Sequence, residues 1–247
     1  MTMQEDTGAY LEVQNLVKYF GNDRAVDDIS FSVPKGAFLT LLGPSGCGKT
    51  TTLMSVAGLH AIDGGRIRVG DIVYTSPSEG LFLPPEKRDI GMVFQSYAIW
   101  PHMTVAKNVA YPLEIRKVNQ SEIDDRVAEV LALVGLTAES DKLATNLSGG
   151  QQQRASLARA IVSKPRLLLF DEPLSNLDLK LREQMRVELK RIQNEVGITS
   201  IYVTHDLSVV AQIADHIVVL YAGEIQEHGT AEQVVSTPSH DLSLIHI

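Results

Sequence analysis

The chain has 247 residues, 44% of them apolar and 21% charged, and its 22 basic and 30 acidic side chains give a formal net charge of -8. This is the composition of a globular protein with a substantial core, and the acidic balance argues against a nucleic-acid coat, which is normally basic. The apolar runs are far shorter than the roughly 20 residues of a membrane-spanning helix, and residues 1–7 lack the features of a secretion signal. With a single cysteine, Cys47, the sequence predicts a cytoplasmic protein that binds no nucleic acid and meets any membrane through a partner.

A strand, a glycine-rich loop and a helix make the first strong pattern. The apolar run Phe38–Leu42 predicts a buried parallel strand, and the loop after it has the P-loop spacing of Gly43, four residues, then Gly48, Lys49 and Thr50. The N–H groups of such a loop point at phosphate oxygens, with Lys49 reaching the β- and γ-phosphates and the Thr50 hydroxyl binding Mg²⁺. The other interpretation is a chance glycine-rich turn.

A second apolar strand, Ile90–Phe94, ends at Gln95, whose side chain is a candidate ligand for the metal or the attacking water. The 96–103 segment that follows combines aromatic and methionine side chains, including Trp100, which suits a groove that holds a partner helix. A tryptophan buried in a helical piece is the competing interpretation. Residues 96–150 are predicted to be mostly helical, with one helix beginning near Ser121.

Two motifs in the second half of the chain carry the remaining chemistry. The first, Leu147–Arg154, reads Leu-Ser-Gly-Gly-Gln-Gln-Gln-Arg and begins a predicted helix, whose N-terminus is an anion site by its dipole and its N–H donors. The second is the apolar strand Leu167–Phe170, followed by Asp171 and Glu172. Asp171 is placed to hold Mg²⁺ and Glu172 to activate water.

The two acids are expected to point to opposite faces, because adjacent strand residues alternate. In isolation, the same residues also fit a solvated Asp-Glu-Pro turn. A further apolar strand, Ile201–Thr204, ends at His205, a candidate contact for the γ-phosphate.

Taken in this order along the chain, the motifs resemble those of the ATP-binding subunits of ABC transporters, over about residues 9–235. The resemblance implies an α/β fold: a P-loop NTPase core, which is a mostly parallel sheet with flanking helices, an N-terminal antiparallel β subdomain, and an inserted helical subdomain at about 96–150. In this family the signature motif, here Leu147–Arg154, caps the ATP of the facing subunit, so a complete site needs a second copy.

The resemblance also assigns roles to residues. Adenine is expected to stack on Phe20, with Tyr19 the close competitor. The other implied ATP-binding residues are Val26, Gly43, Pro44, Ser45, Gly46, Cys47, Gly48, Lys49, Thr50 and Thr51. The implied catalytic residues are Glu172, His205, Gln95 and Lys49, and the implied metal ligands are Thr50, Gln95 and Asp171. The implied contacts across the dimer are Ser148, Gly149, Gly150 and Gln151, which act on the partner's ATP, and Asp178, which communicates between subunits.

The implied partners are a second ATPase subunit, transmembrane permease subunits and an extracytoplasmic solute-binding protein, with the chain on the cytoplasmic face of the membrane. Ferric iron, polyamine, phosphonate and sugar importers are the most similar, and the 76–103 region favours ferric iron, whereas residues 206–229 look more like peptide importers. Non-transport ABC ATPases of DNA repair or translation are disfavoured because Lys49 and Asp171 are too close in sequence to enclose a long coiled coil. A P-loop GTPase or kinase leaves the signature unexplained.

Residues 236–247 are predicted to be a tail. Its last six residues, Leu242–Ile247, resemble the in-frame translation of a sequencing-library transposon adapter. We therefore expect that the native C-terminus is missing and that these six residues are not biological. Importers of the iron, polyamine and sugar kind usually continue into a small β-rich regulatory domain.

Overall fold

The computed structural model describes residues 8–206, 210 and 212–236, so Leu242–Ile247 lies outside the described residues. Contacts divide the chain into two compact units. The second unit holds residues 90–197, and the first unit holds the described residues on either side of that range. Among the residues so described, no helix combines the length and the apolar character needed to cross a membrane.

An antiparallel sheet forms the N-terminal part of the first unit, with strand order β2-β1-β4-β5-β6. Its strands are β1 Ala9–Phe20, β2 Asp23–Pro34, β4 Gly64–Val69, β5 Ile72–Ser76 and β6 Leu81–Phe82. Val13 of β1 lies between Phe31 of β2 and Ile67 of β4, and all three side chains are buried. One face of the sheet therefore packs in a core, as the alternating sequence requires.

The first unit also contains a mostly parallel sheet with strand order β9-β3-β10-β11. Its strands are β3 Phe38–Leu42, β9 Thr199–Thr204, β10 His216–Tyr221 and β11 Glu224–Thr230. The strand β3 is parallel to both neighbours and buried at every residue, which explains its unbroken apolar sequence. Helix α1, Lys49–Ala57, follows β3 and ends at Gly58 in the left-handed conformation.

In the second unit, β7 Ile90–Val93 and β8 Leu167–Asp171 pair in parallel beside four helices. The helices are α2 Val105–Ile115, α3 Gln120–Leu133, α4 Gly149–Ile161 and α5 Leu179–Val196. Helices α2, α3 and α4 pack against one another, and α4 also packs on β7. A further helix, α6 Ala231–Ser236, follows β11 in the first unit.

The helix predicted to begin at Ser121 has a different cap. Asn119 is the N-cap of α3, and its Oδ1 accepts a hydrogen bond from the Ser121 N–H at 2.9 Å. The asparagine side chain, two residues earlier, offers the same kind of hydrogen-bond acceptor as serine. The helix begins after Asn119, so this residue and not Ser121 is the N-cap. The predicted apolar face of α3 is buried nevertheless, including Ile123 and Leu131.

Candidate functional site

At two of its glycines the P-loop backbone combines a positive φ with close approach of a neighbouring strand. Gly43 and Gly48 have φ angles of 153° and 101°, in the region that L side chains rarely adopt. A Cβ on Gly43 would collide with the Leu220 carbonyl, and a Cβ on Gly48 would lie 2.6 Å from the Ala25 carbonyl oxygen. The neighbouring strands therefore press directly on the loop, and the two glycines fix its curvature.

Lys49 is folded over this loop. Its side chain is buried, and Nζ donates to the carbonyl oxygens of Gly43 and Pro44 at 2.7 Å each. Gly48 is the N-cap of α1 and offers no side-chain acceptor, so no N-cap side chain competes for the first-turn N–H groups. A positive charge and a helix N-terminus thus meet at one loop, which is the arrangement that phosphate binding requires.

The other residues of the predicted ATP-binding set differ in exposure. Cys47 is buried and its Sγ lies 3.7 Å from Lys49 Nζ, so it is a loop packing residue. Val26 is buried, and a Cβ added to Gly48 would lie 3.4 Å from its Cγ2, so its role in ATP binding stays a prediction. The exposed or half-buried members are Pro44, Ser45, Gly46, Thr50 and Thr51.

Both candidates for adenine stacking are exposed at the end of β1. Phe20 contacts His60 edge-on, with ring centroids 5.3 Å apart, and Tyr19 lies near Arg24. The Tyr19 N–H donates to Asp63 at 2.7 Å, and this bond holds the pKa of Asp63 below its ordinary value. Asp63 therefore fixes the backbone that carries both rings, while the choice between the rings stays a prediction.

The acidic pair does not alternate along a strand. Asp171 is the last residue of β8, but Glu172 lies beyond it with a φ of 44°, so the expectation of opposite strand faces was wrong. The Glu172 carbonyl accepts the Ser175 N–H and the Ser175 hydroxyl, at 3.2 and 2.9 Å, which closes a tight turn. A left-handed non-glycine residue is strained, and such strain concentrates at functional sites.

Register places Gln95 at the same sheet edge as these acids. Val93 of β7 lies opposite Phe170 of β8 in a parallel pair, so the residues that follow each strand leave together. Asn176 then joins them, because its Nδ2 donates to the Gln95 carbonyl at 2.8 Å. No sequence signal pointed to the bond between Asn176 and Gln95, since the two residues are far apart in the chain.

In the first unit, strand register places His205 at the same sheet edge as the start of the P-loop. Leu42 pairs with Thr204 in the parallel register of β3 and β9, so Gly43 and His205 leave the sheet at one edge. His205 is exposed there. The structure thus brings together His205 with the P-loop in the first unit, and Gln95 with Asp171 and Glu172 in the second.

The signature begins helix α4 through a capping box. The Ser148 hydroxyl accepts from the Gln151 N–H at 3.4 Å, and Gln151 Oε1 accepts from the Ser148 N–H at 2.9 Å. Ser148 and Gly149 are exposed, whereas Gly150 is buried against Leu181, which a Cβ would approach to 3.0 Å. The end that presents Ser148 is therefore rigid and open to an anion.

Asp178 has a structural role in this chain. Its Oδ1 accepts the Leu181 N–H at 2.9 Å and caps α5, while the residue itself is exposed. The predicted dimer role of Asp178 does not include this cap, although an aspartate before a helical stripe is an ordinary cap signal.

The predicted Mg²⁺ ligands are a hydroxyl, an amide and one carboxylate. In the described part of the chain, no group of three or more His, Cys, Asp or Glu residues could hold a metal ion. Magnesium, however, usually takes one or two protein carboxylates and completes its shell with water and substrate phosphates. The oxygen donors of Thr50, Gln95 and Asp171 fit that chemistry.

Comparisons with known proteins agree with these features. The family model described as ABC transporter matches residues 26–175, more than half of the chain. The trehalose/maltose import ATP-binding protein MalK of Thermococcus litoralis is 52% identical over 223 residues, which are 90% of this chain and 60% of that protein. The spermidine/putrescine import ATP-binding protein PotA of Pseudomonas aeruginosa is 46% identical over 232 residues, 94% of this chain and 62% of that protein.

The chain spans about three fifths of the length of these curated relatives. Their names mention sugars and polyamines and give the ferric-iron expectation no support. A solved structure, cbiO1 of Clostridium perfringens, described as part of the ABC transporter complex cbiONQ, matches with a TM-score of 0.84 and 27% identity, covering 93% of this chain and 92% of that one. This match confirms the predicted fold class, and with the family model it shows that the chain belongs to the ABC transporter family.

Proposed function

We propose that the chain is the ATP-binding subunit of an ABC importer, which hydrolyses ATP between two copies of itself and drives solute uptake through membrane partners. One observation supports the proposal: the chain has two helix N-termini of the kind that suits an anion, the P-loop end of α1 and the signature end of α4. Family membership and the names of the relatives support the same activity.

Each half of the proposed site has its own task. Lys49 and the P-loop N–H groups bind the β- and γ-phosphates, and the exposed Phe20 or Tyr19 ring stacks on adenine. Bound Mg²⁺, which Thr50, Gln95 and Asp171 would hold, neutralises charge on the phosphates. Glu172 orients and activates the attacking water, and His205 contacts the γ-phosphate.

The signature is proposed to act on the ATP of the facing copy. Ser148 and the N–H groups of Gly149 and Gly150 add donors to the γ-phosphate, with Gln151 holding the cap that fixes them. Asp178 caps α5 and communicates across the same interface. Because each chain has one P-loop and one signature, two copies complete two sites by symmetry.

Coupling to transport is proposed to pass through the 96–103 segment, which receives a helix of a transmembrane permease subunit. The domain is proposed to cover residues 9–235, with the helical subdomain at about 96–150, and to work on the cytoplasmic face of the membrane. An extracytoplasmic binding protein and the permease select the cargo, and the relatives' names favour sugars or polyamines. The non-transport alternative draws no support from the same names.

The Glu172→Gln variant tests this function. We expect ATP binding to be retained and kcat to fall by about 10²–10⁴-fold, the usual worth of a general base, and we expect a closed dimer to accumulate. Steady-state phosphate release and size-exclusion chromatography with ATP measure the two effects. The exposed Glu183 on α5 provides the matched control, because Glu183→Gln makes the same chemical change away from the proposed site. Normal turnover by Glu172→Gln would contradict the assignment.

A further inference from the structure

Helix α4 is bonded to the segment that follows Gln95 by two buried side chains on one of its faces. Ser156 Oγ donates to the Tyr97 carbonyl at 2.9 Å, and Arg159, one turn further along, donates through Nη2 to the same carbonyl at 3.0 Å. Arg159 Nη1 also donates to the Ala98 carbonyl at 2.5 Å. A single guanidinium therefore bridges two consecutive carbonyls, which a planar fork does better than an ammonium.

The backbone that Arg159 holds is not relaxed. Tyr97 and Ala98 have φ angles of 61° and 48°, and neither residue is glycine. Two adjacent left-handed residues are costly unless their surroundings fix them. Arg159 is itself buried, and this burial lowers the pKa of its guanidinium from the ordinary value. The Arg159 hydrogen bonds thus hold the two left-handed residues, and the carbonyls of those residues in turn accept hydrogen bonds from the buried cation.

The Trp100 ring contacts the same guanidinium. Its ring centroid is 4.7 Å from Arg159 Cζ and 4.3 Å from the Tyr111 ring centroid. Asn108 of α2 holds the Trp100 backbone at both ends, accepting its N–H at 2.8 Å and donating to its carbonyl at 3.1 Å. Asn108 thus fixes the backbone of Trp100, while the ring contacts Arg159 and Tyr111.

Tyr97 extends the connection to the signature. Its carbonyl accepts from Arg159, while its hydroxyl lies near Gly149, because a Cβ added to that glycine would be 4.0 Å from the hydroxyl oxygen. The side chain of Tyr97 is buried, and this burial raises its pKa. Tyr97 is thus bonded to Arg159, in the last turn of α4, and lies near the signature at the first turn of the same helix.

We infer that Arg159 is a positioning residue that couples Trp100 to the signature, so that an anion held by Ser148 and Gly149 changes the environment of Trp100, and pressure on Trp100 moves the signature. The inference rests on the proposed function, because it takes the signature to close on ATP. It adds a specific relay: Trp100, Arg159, Tyr97, Gly149. Such a relay requires a demonstrated change of state, not spatial proximity alone.

Trp100 is the one tryptophan in the chain, so its fluorescence reads the relay directly. The experiment adds ATP to the full chain carrying Glu172→Gln, in which ATP is expected to persist, and records the emission with and without Arg159→Met. We expect ATP to change the emission of the parent and this ATP-dependent change to be lost in the Arg159→Met variant. Binding of a fluorescent ATP analogue and dimer formation are expected to be retained in both.

Two further variants make the result specific. Ser156→Ala removes a bond to the same Tyr97 carbonyl but leaves the Arg159 side chain and its contact with Trp100 in place, so its ATP-dependent change should persist. Arg159→Lys keeps the charge but can make only part of the hydrogen bonds to the two carbonyls, so we expect an intermediate change in emission. If Arg159→Met unfolds at a much lower temperature than the parent, the Arg159→Lys variant provides the test instead.

The outcomes that would overturn the relay can be distinguished from those that would overturn the proposed function. An ATP-dependent change that survives in Arg159→Met or is undiminished in Arg159→Lys would overturn the relay. So would unchanged Trp100 emission in a parent that has bound ATP and closed into a dimer, and in that case the proposed function would stand. A parent that binds no ATP would overturn both.

Discussion

At the scale of single residues, the P-loop requires glycine at particular positions. Gly48 combines a φ of 101° with close approach to the Ala25 carbonyl, whereas Gly80 has a φ of 65° with open space around it. Both are left-handed, so alanine at either position costs about 1–2 kcal/mol of conformational strain. Only at Gly48 does a collision with a neighbouring strand add to that strain.

This difference gives a paired prediction. Gly48→Ala should lower the melting temperature more than Gly80→Ala and should weaken ATP binding by about tenfold or more, because a loop displaced at a cost above about 1.4 kcal/mol loses that affinity. Gly80→Ala should bind ATP like the parent. Differential scanning fluorimetry and titration with a fluorescent ATP analogue give both numbers, and equal effects of the two variants would contradict the packing described for Gly48.

Among the functional residues, the sequence was informative where chemistry and local pattern coincide. The phosphate-binding loop around Lys49 and the acids at the end of β8 follow from spacing and from apolar strands that need no alternation. The left-handed Glu172 does not follow, because its conformation is imposed by a turn closed at Ser175. The Asn176–Gln95 and Arg159–Tyr97 bonds are equally hidden, since they join residues 81 and 62 positions apart.

At the scale of elements, α1 is held at its C-terminal end by a buried arginine. Arg88 donates to the carbonyls of Ser55 and Val56 at 3.0 and 2.8 Å, in the last turn of α1, and also to Leu83 and Thr75. Burial lowers the pKa of Arg88 to about 10, so the side chain is still a cation at neutral pH. A cation at this end of a helix also opposes the negative pole of the helix dipole.

We therefore predict that Arg88→Met destabilises the protein by about 2–4 kcal/mol, because it removes buried, charge-assisted hydrogen bonds to the Val56 and Leu83 carbonyls and to the Thr75 hydroxyl. The adjacent Lys87 is exposed, so Lys87→Met removes the same charge and should have little effect. Chemical denaturation of the two variants measures the difference. If the two midpoints shift equally, Arg88 does not support the P-loop helix in the way described.

Strands were easier to predict than helix ends. The buried strands β3, β8 and β9 appear in the sequence as continuous apolar runs, and the structure places them within a residue or two of the predicted bounds. The start of α3 was misplaced because Asn119 and Ser121 are both good caps, and only the path of the preceding chain selects between them.

At the scale of the whole molecule, the proposed function requires that each ATP is shared by two copies. The α/β fold and the family support it, since P-loop and signature occur once each in the chain. Two variants separate the halves: Lys49→Ala removes the phosphate-binding cation, and Ser148→Asp places a negative charge where the γ-phosphate is expected. Aspartate is as good an N-cap as serine, so the second change preserves α4.

The decisive measurement is the ATPase rate of an equimolar mixture of these two variants. Each variant alone should be nearly inactive, but a mixed dimer restores one site from the intact P-loop of the Ser148→Asp copy and the intact signature of the Lys49→Ala copy. With random exchange, we predict recovery of up to about one quarter of the parental rate. A mixture that exchanges subunits yet stays as inactive as its components would contradict the shared site.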